Sequence, residues 1–332
     1  MARRRTPPPG ARVRELAPIL DRFQRGFDSA ARLSADPVEF PRRYVDPGDA
    51  EVAGLLSACL AYGRADVFKA RIESVLRAGG PSPAAFAARL AAEPDPAPLA
   101  GFRYRFNTGE DVAALLAGAG HLRALHGSLG DRFATLLREA SGEPSPVREA
   151  LARFADEIRG APPAAVLLRR RGPRGLRHLC PDPRAGGAAK RWNLYLRWMV
   201  RGPDGVDLGL WRGVPPAALV VPLDTHVARV ARRLGLTRRG DLSWRTAEEV
   251  TAALRAADPA DPVRFDFALC HLGMSGWCPP RRAPDRCAAC GLREGCPSVR
   301  PDAPAPAGRS SPVSARGRPA ARGSGSARAG RS

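Results

Sequence analysis

The sequence predicts an all-α protein, and three observations carry that reading. Apolar residues recur at steps of three and four along most of residues 13–300, convincing alternating runs of the kind that mark half-buried strands are missing, and capping residues punctuate the periodic stretches. Only Leu219–Pro222 reads as a short strand.

Residues 1–12 are rich in Arg and Pro and are expected to be disordered. From Ala50 to Leu60, the residues Val52, Leu55, Leu56 and Leu60 repeat at helical steps, and a second such stretch runs from Ala65 to Leu76 before Gly79-Gly80-Pro81 closes it. Residues 110–126 and 145–160 form further amphipathic helices, the latter opened by Ser145-Pro146. The segment Lys190–Val200 is apolar and aromatic over most of its circumference, the mark of a buried helix. A helix from Asp224 to Leu234 stops at Gly235. Thr246 and Glu249 match a capping box for a helix reaching Ala257, and Asp261-Pro262 opens one more, with Phe265, Ala268, Leu269 and Leu272 facing inward. Residues 301–332 hold no aromatic, Leu, Ile or Met and cannot offset their ordering entropy, so a disordered Arg/Pro/Gly/Ser tail is expected there. The expected organisation is one helical domain over residues 13–300 between two basic ends.

The 332 residues hold 53 Lys+Arg against 33 Asp+Glu, a net charge of +20. Residues 1–16 carry +4 and residues 301–332 carry +5; subtracting both leaves +11 on the foldable middle. A polyanionic partner fits, because each neutralised phosphate releases a condensed counterion. Arg supplies nearly all of this charge, and the only lysines are Lys69 and Lys190. A lysine retained in so Arg-biased a chain hints that an amine is needed, since an amine can deprotonate to a nucleophile and a guanidinium cannot. Lys69 sits late on a surface-patterned helix and is assigned no role. Pro7 to Pro9 and Gly10 stand where a signal peptide would carry its apolar core, and no run approaches the roughly 20 apolar residues of a membrane span. A cytoplasmic, nucleoid-associated monomer is expected.

Four of the seven cysteines crowd into Cys278, Cys287, Cys290 and Cys296, spaced C-x8-C-x2-C-x5-C with Pro279, Pro280, Pro284, Gly291 and Gly295 as turn formers between them. Thiolates so arranged suit Zn²⁺ or the irons of a [4Fe–4S] cluster. Cys59 and Cys270 lie on apolar helical stretches and read as core residues, while Cys180 in the Arg-rich loop has no evident partner.

The segment Pro222-Leu223-Asp224-Thr225-His226-Val227-Ala228-Arg229-Val230 resembles the "VDTHxxRV" segment of the helix-hairpin-helix DNA glycosylase superfamily. The cysteine spacing resembles the C-terminal loop of the endonuclease III and MutY-type glycosylases, and that resemblance favours [4Fe–4S] over zinc. Leu55-Leu56-Ser57-Ala58-Cys59 is similar to an early helix of the same enzymes. The runs Gly186 to Arg201 and Val206 to Trp211 are similar to a bacterial family described as a domain of unknown function related to these glycosylases.

The resemblance implies a two-lobed fold, base excision from damaged double-stranded DNA and an essential carboxylate at Asp224. A carboxylate at a helix N-terminus stays ionised through orphan N–H bonds and the dipole, and can stabilise positive charge developing on the sugar. The expected hairpin of the type "LPGVGxKTA" is missing, and the place 18 residues before Asp224, where those enzymes carry a lysine, holds Val206. Lys190, 34 residues before Asp224, takes its place as the nucleophile for glycosylase and AP-lyase chemistry, an arrangement similar to the divergent archaeal 8-oxoguanine glycosylases. Arg191 and burial are expected to lower its pKa. Trp192, Asn193 and Tyr195 are expected to line a base pocket. Arg169, Arg170, Arg171, Arg174 and Arg177, with Arg191 and Arg197, are the expected DNA contacts, placed to bind phosphate without reading sequence. The rival expectations are a non-catalytic iron–sulfur DNA-binding protein of the same fold and a zinc-stabilised nucleic-acid interaction protein.

Overall fold

The computed structural model describes residues 9–297, and within them the chain is helical apart from one minimal hairpin. Helix α1 (Pro9–Arg25) takes up residues 9–12, which composition had assigned to a disordered arm. Its later turns decide the matter: Leu16 and Leu20 are buried, and their burial supports the whole helix. The tail 301–332 lies outside the described residues.

A short helix α2 (Ala30–Leu33) leads into α3 (Pro47–Leu60). The latter starts earlier than its apolar stripe because Asp46 caps it, accepting from Asp49 N at 2.9 Å, and Pro47 sets its first turn. Helices α4 (Ala65–Gly79) and α5 (Pro83–Ala92) follow. Strands β1 (Arg103–Tyr104) and β2 (Asn107–Thr108) then pair antiparallel, a hairpin that periodicity did not announce. Helix α6 (Gly109–His126) opens with a Thr108–Asp111 capping box. Helices α7 (Leu129–Glu139), α8 (Pro146–Gly160), α9 (Pro162–Leu167), α10 (Arg174–Leu179) and α11 (Lys190–Val200) complete the first group. In it α6 packs against α5, α8 and α9, and α11 packs on α3.

The second group is α12 (Thr225–Leu234), α13 (Trp244–Arg255), α14 (Asp266–Met274) and α15 (Pro284–Ala288), joined by α1 from the other end of the chain. Here α12 packs on α14 and α1 on α13. One continuous apolar core runs from Leu16 to Leu292 through both groups, with Trp192, Trp198 and Trp244 fully buried in it.

Three further elements differ from the sequence reading. Helix α13 is capped by Ser243, whose Oγ accepts from Thr246 N at 3.2 Å, so Thr246 lies inside the helix and Trp244 is drawn into its first turn by burial. Helix α14 begins at Asp266 rather than at Asp261-Pro262, although the inward stripe of Phe265, Ala268, Leu269 and Leu272 is buried as expected. Leu219–Pro222 forms no strand; the Val221 N–H is taken by the Thr251 hydroxyl at 3.0 Å, a side chain standing in for a ladder partner. Among the described residues no helix is long and apolar enough to cross a membrane.

Candidate functional site

Residues of both helix groups line a cavity of about 670 Å³. Its defining feature is built by two helix starts. Asp224 caps α12: Oδ1 accepts from the backbone N–H groups of His226 and Val227, both at 2.8 Å. That leaves Oδ2 facing the cavity, 3.1 Å from Lys190 Nζ at the first turn of α11.

The turn that delivers Lys190 is held under mild strain. Ala189 has φ +47°, a left-handed conformation that costs an alanine about 1 kcal/mol. Two ties hold it there: Ala188 N donates to Leu242 O at 3.0 Å, and Asn193 Nδ2 donates to Ala188 O at 3.1 Å.

The electrostatics correct one expectation. Burial pulls the Lys190 ammonium down, but the Asp224 carboxylate, with that of Asp36 adding to it, outweighs burial and leaves its pKa raised. Arg191, expected to lower it, is not among the groups that set it. Burial likewise pushes Asp224 up, while Lys190 and the Val227 N–H pull harder, so its carboxyl ends below the usual range. Cys270, read as a core residue, reaches the cavity with Sγ 3.9 Å from Asp224 Oδ2; burial raises its thiol well above the ordinary value, so it stands there protonated.

The residues expected to form a base pocket are placed elsewhere. Trp192 is buried against Phe154 and donates from Nε1 to Pro181 O at 2.9 Å. Tyr195 is buried edge-on to Trp211 and donates to Glu51 O at 3.0 Å. Asn193 is spent on the Ala188 carbonyl. None of the three lines the cavity; the helix is buried on nearly all sides, and Lys190, Arg191, Leu194 and Arg197 make up its cavity-facing stripe.

Among the expected DNA contacts, Arg169, Arg170, Arg171, Arg174 and Arg177 are exposed, outside the cavity, on α10 and the turn before it. Arg171 Nη2 donates to Phe106 O at 2.9 Å. Arg197 is a correction: it is 2% exposed and bound to Asp207 at 3.2 Å and Asp266 at 2.5 Å, so it is an internal ion-pair residue and not a surface phosphate contact. Arg191 lines the cavity, but one arm donates to Cys59 O at 2.9 Å and the other to His178 O, which fixes the end of α3 against α10.

Sequence reasoning missed Asp36, Tyr62 and Asp266, all on the cavity wall. Tyr62 lies under the Arg191 guanidinium, 5.5 Å from its ring centroid, and burial pushes its phenol up. Its other face meets His178, edge-on at 4.8 Å; burial and the charges of Arg191 and Arg105 pull that imidazole down to about 4. A lone Asp or Tyr in a loop, or an Asp in the first turn of a helix, carries no signal of where it points, so these three became visible only with the fold.

The four C-terminal cysteines all line one small cavity of about 30 Å³, together with Trp277, Leu272, Leu292 and the α12 residues Val230 and Leu234. All four are free thiols. Among the described residues no three Cys, His, Asp or Glu side chains are gathered closely enough to hold a metal ion.

No curated protein and no solved structure matches the chain. A family profile matches residues 36–275, a span that holds Asp36, Lys190, Asp224 and Cys270 and stops short of the four cysteines. Covering well over half of the sequence, that match assigns the chain to the DUF2400 family, described as a protein of unknown function.

Proposed function

We propose that the cavity is the base-excision site of a DNA N-glycosylase with associated lyase chemistry, Lys190 acting as nucleophile and Asp224 as its partner carboxylate. One observation carries the reading: an amine and an ionised carboxylate 3.1 Å apart on the wall of a cavity large enough for an extruded nucleotide. In the reaction, the Lys190 ammonium passes a proton by way of Asp224 to the departing base. The free amine then forms a bond to C1′ while the glycosidic C1′–N bond breaks and its electron pair leaves with the base. Loss of a second proton from nitrogen to O4′, with cleavage of C1′–O4′, gives a Schiff base. Asp224, kept ionised by two backbone N–H groups, stabilises the positive charge passing through the sugar. The exposed arginines around α10 supply phosphate contacts that position the duplex.

Resemblance to the endonuclease III-like glycosylases supports this reading through the Asp224 segment and the cysteine spacing. Cys278, Cys287, Cys290 and Cys296 have the right donor chemistry, are free and line one cavity, but no three of them are gathered closely enough to hold an ion as they stand; they are the residues that would close on a [4Fe–4S] cluster, with zinc as the alternative. Such a centre would supply structural cross-linking of the loop. Visible absorption and metal content of anaerobically purified protein separate the two metals.

A second reading is favoured by the raised Lys190 pKa: a permanently paired amine suits a DNA-binding protein of the same fold without catalysis. Borohydride trapping on a panel of lesion-bearing duplexes decides between them. The excision reading expects a covalent complex in wild type that is lost in Lys190→Ala, and base release that falls at least about 100-fold in Asp224→Asn. No trapped species and no Asp224-dependent base release on any duplex leaves only salt-sensitive binding and overturns the enzyme.

A further inference from the structure

Four carboxylates line the cavity: Asp36, Asp182, Asp224 and Asp266. Three are paired with a Lys or Arg cation, Asp182 with Arg184 at 3.0 Å, Asp224 with Lys190 at 3.1 Å and Asp266 with Arg197 at 2.5 Å. Asp36 differs. Its Oδ1 accepts from Val38 N at 2.9 Å, which fixes the rotamer, and its Oδ2 lies 3.5 Å from His271 Nε2. That separation exceeds a good hydrogen bond, and Nε2 has no hydrogen-bond partner among the described residues. The side chain of Asp36 is only 12% exposed, so water compensates it poorly.

A desolvated carboxylate with an unsaturated oxygen is costly, and a ligand donor that completes it recovers that cost. An aspartate is ionised at neutral pH, so Asp36 stands in the cavity as an acceptor with nothing to donate.

We propose that Asp36 is the specificity-determining acceptor of the cavity, taking a hydrogen bond from an N–H on the edge of a bound nucleobase. The inference rests on the excision reading for the identity of the ligand and deepens it: Lys190 and Asp224 address the sugar, while Asp36, on a separate segment, addresses the base. Sites built to hydrogen-bond a ligand N–H reject analogues that lack it far more strongly than apolar pockets reject an extra methyl group.

The test is equilibrium binding by calorimetry to the full chain, using pairs that differ in donors alone or nearly so: deoxyuridine against N3-methyldeoxyuridine for a ring N–H, and deoxyadenosine against its N6,N6-dimethyl form for an amino group. Wild type is compared with Asp36→Leu and Asp36→Asn. Asparagine keeps an oxygen for the Val38 N–H and guards against a folding artefact. At least one parent nucleoside is expected to bind at least about tenfold more tightly than its methylated partner. That ratio should fall towards one in Asp36→Leu and lie between in Asp36→Asn. Absence of binding by either parent, or discrimination that survives Asp36→Leu, overturns the assignment. The two readings fail separately: a trapped covalent complex with no Asp36-dependent discrimination removes this inference alone. Asp36-dependent discrimination without trapping removes the lyase chemistry instead.

Discussion

Lys190 and Asp224 each bias the other towards its charged form, and this reciprocity sets how the site responds to pH. A lysine raised in the folded state contributes stability that is complete below its unfolded pKa and is lost as pH rises through the folded one. A depressed aspartate contributes stability present above its unfolded pKa and lost as pH falls through the folded one. The pair is thus intact throughout the neutral range, and the amine becomes a nucleophile only when a ligand disturbs Asp224 or the pH is high. The chain makes this measurable, because Lys69 and Lys190 are its only lysines and reductive ¹³C-methylation yields two side-chain resonances. The Lys190 resonance is expected to titrate above the ordinary lysine value of about 10.4 in wild type and to move down in Asp224→Asn, which removes the largest upward influence. An unchanged midpoint would mean that Asp224 is not what holds the proton.

Helix α12 converts that local chemistry into a fixed position. Asp224 caps its start, Gly235 its end in a left-handed conformation, and Arg229 ties its flank to Gly273 O at 2.8 Å and Cys278 O at 2.9 Å. The α12–α14 contact is close because Gly273 has no side chain: a Cβ there would come within 2.9 Å of His226 Cβ. Gly273→Ala is expected to destabilise the protein by about 1–3 kcal/mol, read as a lowered denaturant midpoint with unchanged m-value, whereas Gly142→Ala, facing open space, leaves the midpoint alone. Equal midpoints for the two variants would show that the helices part without cost. At this scale the sequence was readable wherever an apolar stripe was long, as in α3, α4, α6, α8, α11 and α12. It misled at α13, where Thr246 and Glu249 match a capping box but Ser243 provides the hydroxyl and burial of Trp244 sets the first turn. It also named no helix at α2, α5, α7 or α9, nor at α10 inside the arginine run, where Leu176 and Leu179 are the only buried residues besides Gly175. Periodicity could identify Lys190 and Asp224 as helix starts, yet it could not tell that Trp192 and Tyr195 turn into the core while Asp36 and Tyr62 arrive from loops.

At the scale of the whole molecule, the two ends of the described chain close on each other outside the family-matched span. Leu16 and Ile19 of α1 lie against Gly295, and Phe23 lies against Gly291, where a Cβ would be 3.0 Å from its ring. Asp21 pairs with Arg264, and Arg22 with Glu294 at 2.5 Å. The exposed Arg22–Glu294 pair adds little; the apolar contacts with two glycines of the cysteine loop, beside the half-buried Asp21–Arg264 pair, carry the docking. The loop is rich in Pro and Gly and has little core of its own, so under the proposed centre at its four cysteines the loop would take its shape from that centre, and α1 would depend on it at a distance. Removing metal with a chelator and capping the thiols is therefore expected to speed hydrogen exchange across α1 and residues 278–296 by at least about tenfold, while α6, enclosed by α5, α8 and α9, keeps its protection. Uniform loosening would mean that the centre stabilises the entire fold. No change in either α1 or the loop would mean that the four cysteines hold nothing that matters to the packing of the two ends.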